Sequence, residues 1–391
     1  AGIKFKVVPS YRTWIDGNLT TKQLRPIKIE DLLQRNKIEL DNVNISGSVE
    51  GKTILVTGAA GSIGSEIARQ LSFYNLKSLI LIDHSESPLY DIEQELKESH
   101  RTKNTINPIC EVANVKDRYR MDIIFDNYRP DIVYHAAAYK HVPIIEKSPY
   151  EGIFVNVFGT RIVADTAVRY GVERFVMVST DKAVNPTNVM GATKRVAELY
   201  TQSLNEHGKT KFIATRFGNV LGSNGSVVPL FRKQIEAGGP LTVTHTDITR
   251  YFMTIPEACN LVLEAGAMGQ GGEVFVFDMG ERVKIMDMAK KMVKLSGLEL
   301  GKDIKIEVTG LRPGEKLYEE LLASSENTLP THHPKILRAK VETYSHRAIK
   351  EHLDILTEIM IDGDVVGMVR KVKNIVPVYI SQNSEFEKLD G

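Results

Sequence analysis

The sequence is poor in cysteine, with Cys110 and Cys259 alone among 391 residues. That is too few for a disulfide framework or a cysteine-ligated zinc site, and it fits a reducing compartment. It holds one tryptophan, Trp14, within a polar stretch. It also lacks a charge imbalance: 50 Lys and Arg face 49 Asp and Glu, a net charge of +1. Such a balance argues against a dedicated nucleic-acid binder. No apolar run approaches the ~20 residues needed to cross a bilayer. No hydrophobic stretch follows the opening Ala-Gly-Ile-Lys-Phe-Lys in the manner of a signal peptide. His207, His245, His332 and His333 lack zinc-ligand spacing, so no metal is expected.

What is present is an ordinary globular composition, 42% hydrophobic and 25% charged. Such a chain can bury a sizeable core. Residues 1–50 carry little pattern beyond a short helix expected over Ile29–Leu40, and read as an N-terminal extension packing on the core. From Gly51 the texture is regular. The continuous apolar run Thr53–Thr57 reads as a strand buried on both faces; Ser78–Asp83, Asp131–His135, Glu173–Ser179 and Lys211–Arg216 read as further strands, and Asn107–Cys110 as a weak one. Helical patterns alternate with them, at Ser62–Ser72, Ser87–His100 and about 118–128, 149–170 and 190–207. Strands alternating with helices predict an α/β fold, a doubly wound parallel sheet. Residues 51–220 form its dinucleotide-binding domain. Residues 221–341, richer in glycine and proline, read mainly as a smaller substrate lobe, with a helix at Asp287–Ser296 and a charged turn, Gly310–Lys316, ahead of another helix. Residues 342–391 read as a charged tail with some helix around 346–360.

Two segments carry chemistry. The first, Thr57-Gly-Ala-Ala-Gly-Ser-Ile-Gly64, follows a strand and opens a helix. Gly58, Gly61 and Gly64 permit a tight turn and close approach of a pyrophosphate, while Ala60, Ser62 and Ile63 lie along it. The helix start offers free N–H groups and a positive dipole. Asp83 ends the second strand, where a carboxylate accepts from ribose hydroxyls and repels a 2′-phosphate. That favours NAD over NADP. The second segment is Ser179-Thr180-Asp181-Lys182, at the carboxyl end of the fifth strand, with Met190 and Lys194 sharing one face of the next helix. Ligands bind outside the carboxyl ends of strands in such sheets. Hydroxyl, carboxylate and ammonium side by side form an acid–base set.

These motifs resemble the extended short-chain dehydrogenase/reductases acting on nucleotide sugars. Five further segments narrow the resemblance: His135–Pro143, Ser179–Pro186, Arg216–Ser223, Asp247–Met253 and Leu311–Lys316. Together they resemble the UDP-N-acetylglucosamine 4,6-dehydratases of bacterial glycan pathways. The resemblance implies a lyase that uses NAD catalytically. Sugar C4 is oxidised, the C5 proton and C6 hydroxyl leave as water, and hydride returns to C6. It implies Lys182 as C5 base, Asp181 as acid for the leaving hydroxyl and Thr180 as hydrogen-bond partner of O4. Either Asp181 or Lys182 takes the O4 proton. A lysine base must be neutral, so Lys182 is expected to have a lowered pKa.

Met190 stands where the superfamily usually has a catalytic tyrosine, and a thioether cannot exchange a proton. Here it resembles the long, membrane-associated branch, whose products retain configuration at C5. Lys194 resembles the lysine that binds the nicotinamide ribose. Asn114 and Val115 resemble the adenine contact, with Asn in place of the family's usual Asp. Ala136, Ala137 and Ala138 fit either a surface against which the cofactor lies or plain core packing. Lys140, Asn219, Arg250, Arg312 and Glu315 match positions that hold the uridine diphosphate and sugar, and Arg suits a diphosphate through paired hydrogen bonds. Two alternatives stand beside this reading: a UDP-sugar 4-epimerase, and a non-catalytic NAD-binding module. By analogy, helices near 118–128 and 149–170 pair across a two-fold in a homo-oligomer. A cytoplasmic location is expected, at the inner-membrane face if a membrane segment lies upstream.

Overall fold

A computed structural model describes residues 6–7, 25–26, 43–103, 105–320 and 328–391. The helix expected over Ile29–Leu40 lies outside the described residues. A nine-stranded sheet organises the chain. Its strands are β1 (Thr53–Thr57), β2 (Ser78–Asp83), β3 (Ile109–Val112), β4 (Ile132–His135), β5 (Arg174–Val178), β6 (Lys211–Arg216), β7 (Val274–Phe277), β8 (Thr328–Pro330) and β9 (Ile336–Ala339). Their spatial order is 3-2-1-4-5-6-7-9-8. β3 through β7 run parallel, and β9 is antiparallel to both β7 and β8. The strand order reverses between β1 and β4, and a crevice opens at such a switch point. The fold is a doubly wound Rossmann sheet.

Alternate residues of one strand feed opposite faces, because side chains alternate across a strand. Ile54 and Val56 of β1 face one core, with α1 (Val43–Val49), α2 (Ser62–Leu71) and α3 (Glu86–Lys103). Leu55 faces the other. That second face is covered by α4 (Arg118–Tyr128), α5 (Val142–Lys147), α6 (Pro149–Ile153), a π-helical turn at Phe154–Gly159, α7 (Thr160–Arg169) and α8 (Val189–Ser203). All of α8 is buried, so it lies within the molecule rather than on it.

The chain beyond residue 221 divides between lobe and sheet. The lobe has its own apolar cluster, with Val228 and Phe231 of α9 (Val227–Glu236) against Leu241, Val243 and Ile304. However, α10 (Ile255–Met268) and β7 belong to the sheet layers. Thr254 caps α10 in a capping box with Glu257, and residues 257–266 are buried. Helix α11 (Ile285–Leu295) returns to the lobe. No helix begins within Leu317–Glu320: Leu317 and Tyr318 are bends, and the carbonyls of Lys316 and Leu317 accept from the Arg250 guanidinium instead of from a helical turn; residues 321–327 lie outside the described residues.

The C-terminal segment carries the helix expected around 346–360 and packs on the core. Helices α12 (His346–Ile361) and α13 (Val365–Ile375) insert Ile349, Leu353, Leu356, Met368, Val369 and Val372 into the core against α8. Most of their charged residues line the outer faces, which is what the sequence pattern registered, but Lys373 of α13 is buried. At the other end, α1 packs on α10, with Ile45 and Val49 fully buried and Asn44 donating to Glu264 at 2.8 Å. No helix among the described residues is long and apolar enough to cross a membrane.

Candidate active site

The glycine turn joins β1 to α2 at the switch point. Gly58 takes φ +65°, and a Cβ there would stand 2.7 Å from the Ala137 backbone. A Cβ on Gly64 would stand 2.1 Å from the Gly58 carbonyl. Only glycine lets the turn, the helix start and the β4 loop meet so closely. Thr57 fixes the turn to β4, accepting from Ala137 N–H at 3.3 Å and bonding His135 at 2.8 Å. Full burial pushes the His135 imidazole down to about 3, so it stays neutral between Thr57 and Thr160.

Beside this turn lies a cleft of about 300 Å³. Gly58, Ala60, Gly61, Asp83, Asn114, Val115 and Ala136–Ala138 all line it. Asp83 is set by Ala60 N–H at 3.0 Å and Ser85 N–H at 2.9 Å. Asn114 accepts from Lys116 N–H at 3.0 Å. Sequence reasoning missed Tyr139, Val155 and Asn224 on the walls. Asn224 N–H donates to Ser62 at 3.1 Å, so the loop after Gly222 reaches the glycine turn. No spacing rule points to it, because it comes from more than 150 residues downstream. Ser62, Ile63 and Gly64 form the first residues of α2 behind the cleft.

The second segment follows β5 as a single 3₁₀ turn, Asp181–Ala183, which Thr180 caps by accepting from Lys182 N–H. Thr180 also donates to Asp181 at 2.9 Å. Lys182 Nζ donates to Asp181 at 3.0 Å and to Asn219 at 3.2 Å, and lies 3.8 Å from Glu319 Oε1. Gly191 brings α8 against the turn, since a Cβ there would stand 2.1 Å from the Lys182 carbonyl. Met190 and Lys194 are thereby buried behind the turn. Desolvation lowers the Lys194 ammonium to about 8, against the pull of Glu198.

One expectation is corrected here. Lys182 was to have a lowered pKa. Burial does work downward, but Asp181 and Glu319 outweigh it and hold its charge above the ordinary range. The expectation rests on the neutrality a base requires and does not include Glu319, which nothing in its spacing marks as buried.

Around the turn the candidate nucleotide residues form a linked set. Arg250 is buried, donating to the Lys316 carbonyl at 2.9 Å and lying 3.5 Å from Glu315 and 3.7 Å from Glu319. Glu315 also receives Arg312 at 3.0 and 3.3 Å. Burial opposes the Glu315 charge, and Arg312 overcomes it, holding the carboxyl low. Arg312 is 56% exposed, so its outer face remains open to a ligand. Lys140 is exposed on the loop after β4, near enough to Lys182 to feel its charge. Among the described residues, no cluster of His, Cys, Asp and Glu could hold a metal ion.

Beneath the site lies a network absent from the sequence reading. Glu198 of α8 accepts from Arg216 at 2.9 and 2.7 Å, from Arg195 at 3.0 Å and from Ser179 at 2.6 Å. It ties the end of β5, its neighbour β6 and α8 into one unit.

Comparison with known proteins places this architecture. The chain is 50% identical over 374 residues to the capsular polysaccharide biosynthesis protein CapD of Staphylococcus aureus, covering 95% of this chain and 61% of that one. It is 51% identical to the probable polysaccharide biosynthesis protein EpsC of Bacillus subtilis, of which it spans 56%. The chain thus spans about three fifths of the length of these relatives. A UDP-N-acetylglucosamine 4,6-dehydratase (inverting) of Campylobacter jejuni is 34% identical over 71% of this chain and 80% of its own length. A UDP-glucose 4-epimerase of Rickettsia canadensis is 35% identical over 70% and 79% respectively. Among solved structures, Pen from Bacillus thuringiensis superposes with a TM-score of 0.68 at 31% identity, covering 78% of this chain and all but 2% of that one (98%). The dTDP-glucose 4,6-dehydratase DesIV of Streptomyces venezuelae, solved with NAD, shares the fold at a TM-score of 0.58 and 19% identity, covering 76% of this chain and 95% of its own. A family model described as polysaccharide biosynthesis protein matches residues 54–341, spanning the glycine turn, the Thr180–Lys182 turn and the Arg250–Glu315 set alike. The chain belongs to the polysaccharide biosynthesis protein family, within the extended short-chain dehydrogenase/reductases.

Proposed function

We propose that the chain is an NAD-dependent UDP-N-acetylglucosamine 4,6-dehydratase. The observation that carries this reading is the Thr180–Asp181–Lys182 turn, which gathers a hydroxyl, a buried carboxylate and an ammonium at the carboxyl edge of the sheet. The C. jejuni relatives bearing that name support it.

The cleft suits a dinucleotide: without a Cβ, Gly58 lets the glycine turn close against the Ala136–Ala137 backbone, and both line the cleft. Gly58, Ala60, Gly61 and Ser62–Gly64 would hold the pyrophosphate, Asp83 the adenosine ribose, Asn114 and Val115 the adenine, Ala136–Ala138 the length of the cofactor and Lys194 the nicotinamide ribose. When bound, NAD supplies reversible hydride acceptance, so oxidation at C4 and reduction at C6 consume no cofactor. Arg250, Arg312 and Glu315 would hold the uridine diphosphate, with Lys140 and Asn219 toward the sugar. Thr180 would orient O4, Lys182 would take the C5 proton, and Asp181 would protonate the departing C6 hydroxyl. Asp181 or Lys182 receives the O4 proton. Met190 has no proton to exchange, which leaves this work to the turn. The product is the 4-keto-6-deoxy sugar with C5 configuration retained.

A homo-oligomer would use α4, whose Tyr119 is 77% exposed. Part of α7 is already taken by the chain's own α12, through Arg161 and Asp354 at 2.9 Å.

Mass spectrometry of UDP-N-acetylglucosamine incubated with the chain and NAD tests the reading: the sugar should lose one water. The Rickettsia relatives favour a second reading, a 4-epimerase. It would invert C4 without any loss of mass. Bound NAD with every UDP-sugar unchanged would indicate a binding module.

A further inference from the structure

Four carboxylates stand close to the site, and they differ in how their charge is supported. Glu198 and Glu315 are clamped by arginines within hydrogen-bond distance. Asp181 is supported by Thr180 and Lys182 at 2.9 and 3.0 Å. Glu319 is different. It is 4% exposed, and its cation contacts are longer, 3.8 Å to Lys182 and 3.7 Å to Arg250. Its Oε2 is buried without a hydrogen-bond partner among the described residues, as is Asp181 Oδ2, but Glu319 Oε1 also lacks the close hydrogen bonds that Thr180 and Lys182 give Asp181 Oδ1.

We infer that Glu319 is the internal acceptor of the Lys182 proton, converting a buried ion pair into a neutral amine and carboxylic acid when substrate covers the turn. This rests on the dehydratase reading, in which Lys182 must act as a base yet is held charged in the free chain. The step balances without any co-reactant. One N–H bond of the Lys182 ammonium breaks, leaving the lone pair on Nζ, and an O–H bond forms on Glu319. Charges of +1 and −1 become zero and zero. Covering the turn removes water, and a low dielectric penalises a loosely paired charge couple. Of the two carboxylates touching Lys182, Glu319 is the less supported, so it takes the proton. The charged and polar groups around the pair are Asp181 on the turn itself, Asn219 and Arg250 from the strands beside it, Lys316 from the same segment as Glu319, and Lys140 from the loop after β4. Burial raises the Glu319 carboxyl above the usual range despite Lys182 and Arg250, which agrees with this role.

The experiment compares the unmodified chain with Glu319→Gln and Glu319→Asp, using UDP-N-acetylglucosamine in heavy water. Reduction of bound nicotinamide in a single turnover reports C4 oxidation, and deuterium incorporation reports C5 proton transfer. In the Gln variant the C5 step should fall about 100-fold, the scale of one proton-transfer group, while C4 oxidation persists. Its C5 rate should climb with pH, because Lys182 must then lose its proton to water. The unmodified chain and the Asp variant should show a flatter profile. Equal slowing of both steps, or an unchanged pH profile, would overturn the inference. If the unmodified chain neither dehydrates nor exchanges, the dehydratase reading fails instead. A carbon-13 titration of Lys182 then decides the pair by itself: Glu319→Gln should lower its midpoint by about one pH unit, and an unmoved midpoint rejects the pairing.

Discussion

Glu198 shows how a single residue can be decisive and yet illegible in the sequence. On paper, Arg195 and Glu198 look like a solvated i,i+3 pair. In the fold, Glu198 and Arg216 are wholly buried. Burial works against the carboxylate, but Arg216 and Arg195 hold it down to about 2. Glu198→Ala should cost about 3–5 kcal/mol, because it strands a buried guanidinium. A shift of the urea midpoint at unchanged slope would measure it. The sign of the pH effect follows from the lowered folded value. The unfolded carboxyl titrates near ~4.3, so the stabilisation is complete above that pH. It is lost as pH falls through the folded value of about 2. The acid limb of thermal stability between those limits should be steep in the unmodified chain and flatter in the variant. Lys182 makes the same point for the active site. Its candidacy was readable from the Ser179–Lys182 motif, but its charge is held by Asp181 together with Glu319, and the latter lies 137 residues away.

At the scale of elements, the regular part of the fold was legible. Strands buried on both faces give continuous apolar runs, so β1, β2 and β4–β6 stand out, as do α2–α4 and α8. The glycine turn was legible for a related reason: close backbone approach demands particular residues. Gly64→Ala should destabilise the chain by about 1–3 kcal/mol through overpacking and abolish NAD retention. Thermal unfolding and the absorbance of co-purified nucleotide would report both. Other elements left no periodic trace. Helix α10 is buried nearly all round, so it lacks a polar face, and β7 to β9 are separated by the lobe. The closing segment was also hidden. Ile380 N–H donates to Pro186 at 3.2 Å and Gln382 N–H to Thr187 at 3.1 Å, while the Gln382 carbonyl accepts from Gly314 at 2.8 Å. It therefore straps the segment just after the Thr180–Lys182 turn to the Arg312–Glu315 loop. Buried Lys373 anchors the strap through Ser381 at 2.8 Å and through Asp390. Asp390→Ala should release it and weaken UDP binding about tenfold, comparable with one charged hydrogen bond. Calorimetric titration of UDP would check this, and an unchanged affinity would separate the strap from the site.

For the whole molecule, the doubly wound sheet determines where chemistry is possible. The order reversal between β1 and β4 opens the cleft, and the carboxyl edge beyond β5 carries the Thr180–Lys182 turn next to it. The lobe and the 310–320 segment then bring Arg250, Glu315 and Glu319 over that edge. Sequence separation hid this last assembly, because its members come from three distant stretches joined only by tertiary packing. The division of residues 221–341 between lobe and sheet has the same origin. The central proposal, intramolecular redox coupled to elimination, is tested most directly by proton NMR of UDP-N-acetylglucosamine incubated in heavy water with the purified chain carrying only the NAD it retains. A new C6 methyl signal with deuterium at C5 and retained C5 configuration is expected. An intact C6 hydroxymethyl group with protium at C5, on a chain shown to hold NAD, would contradict it.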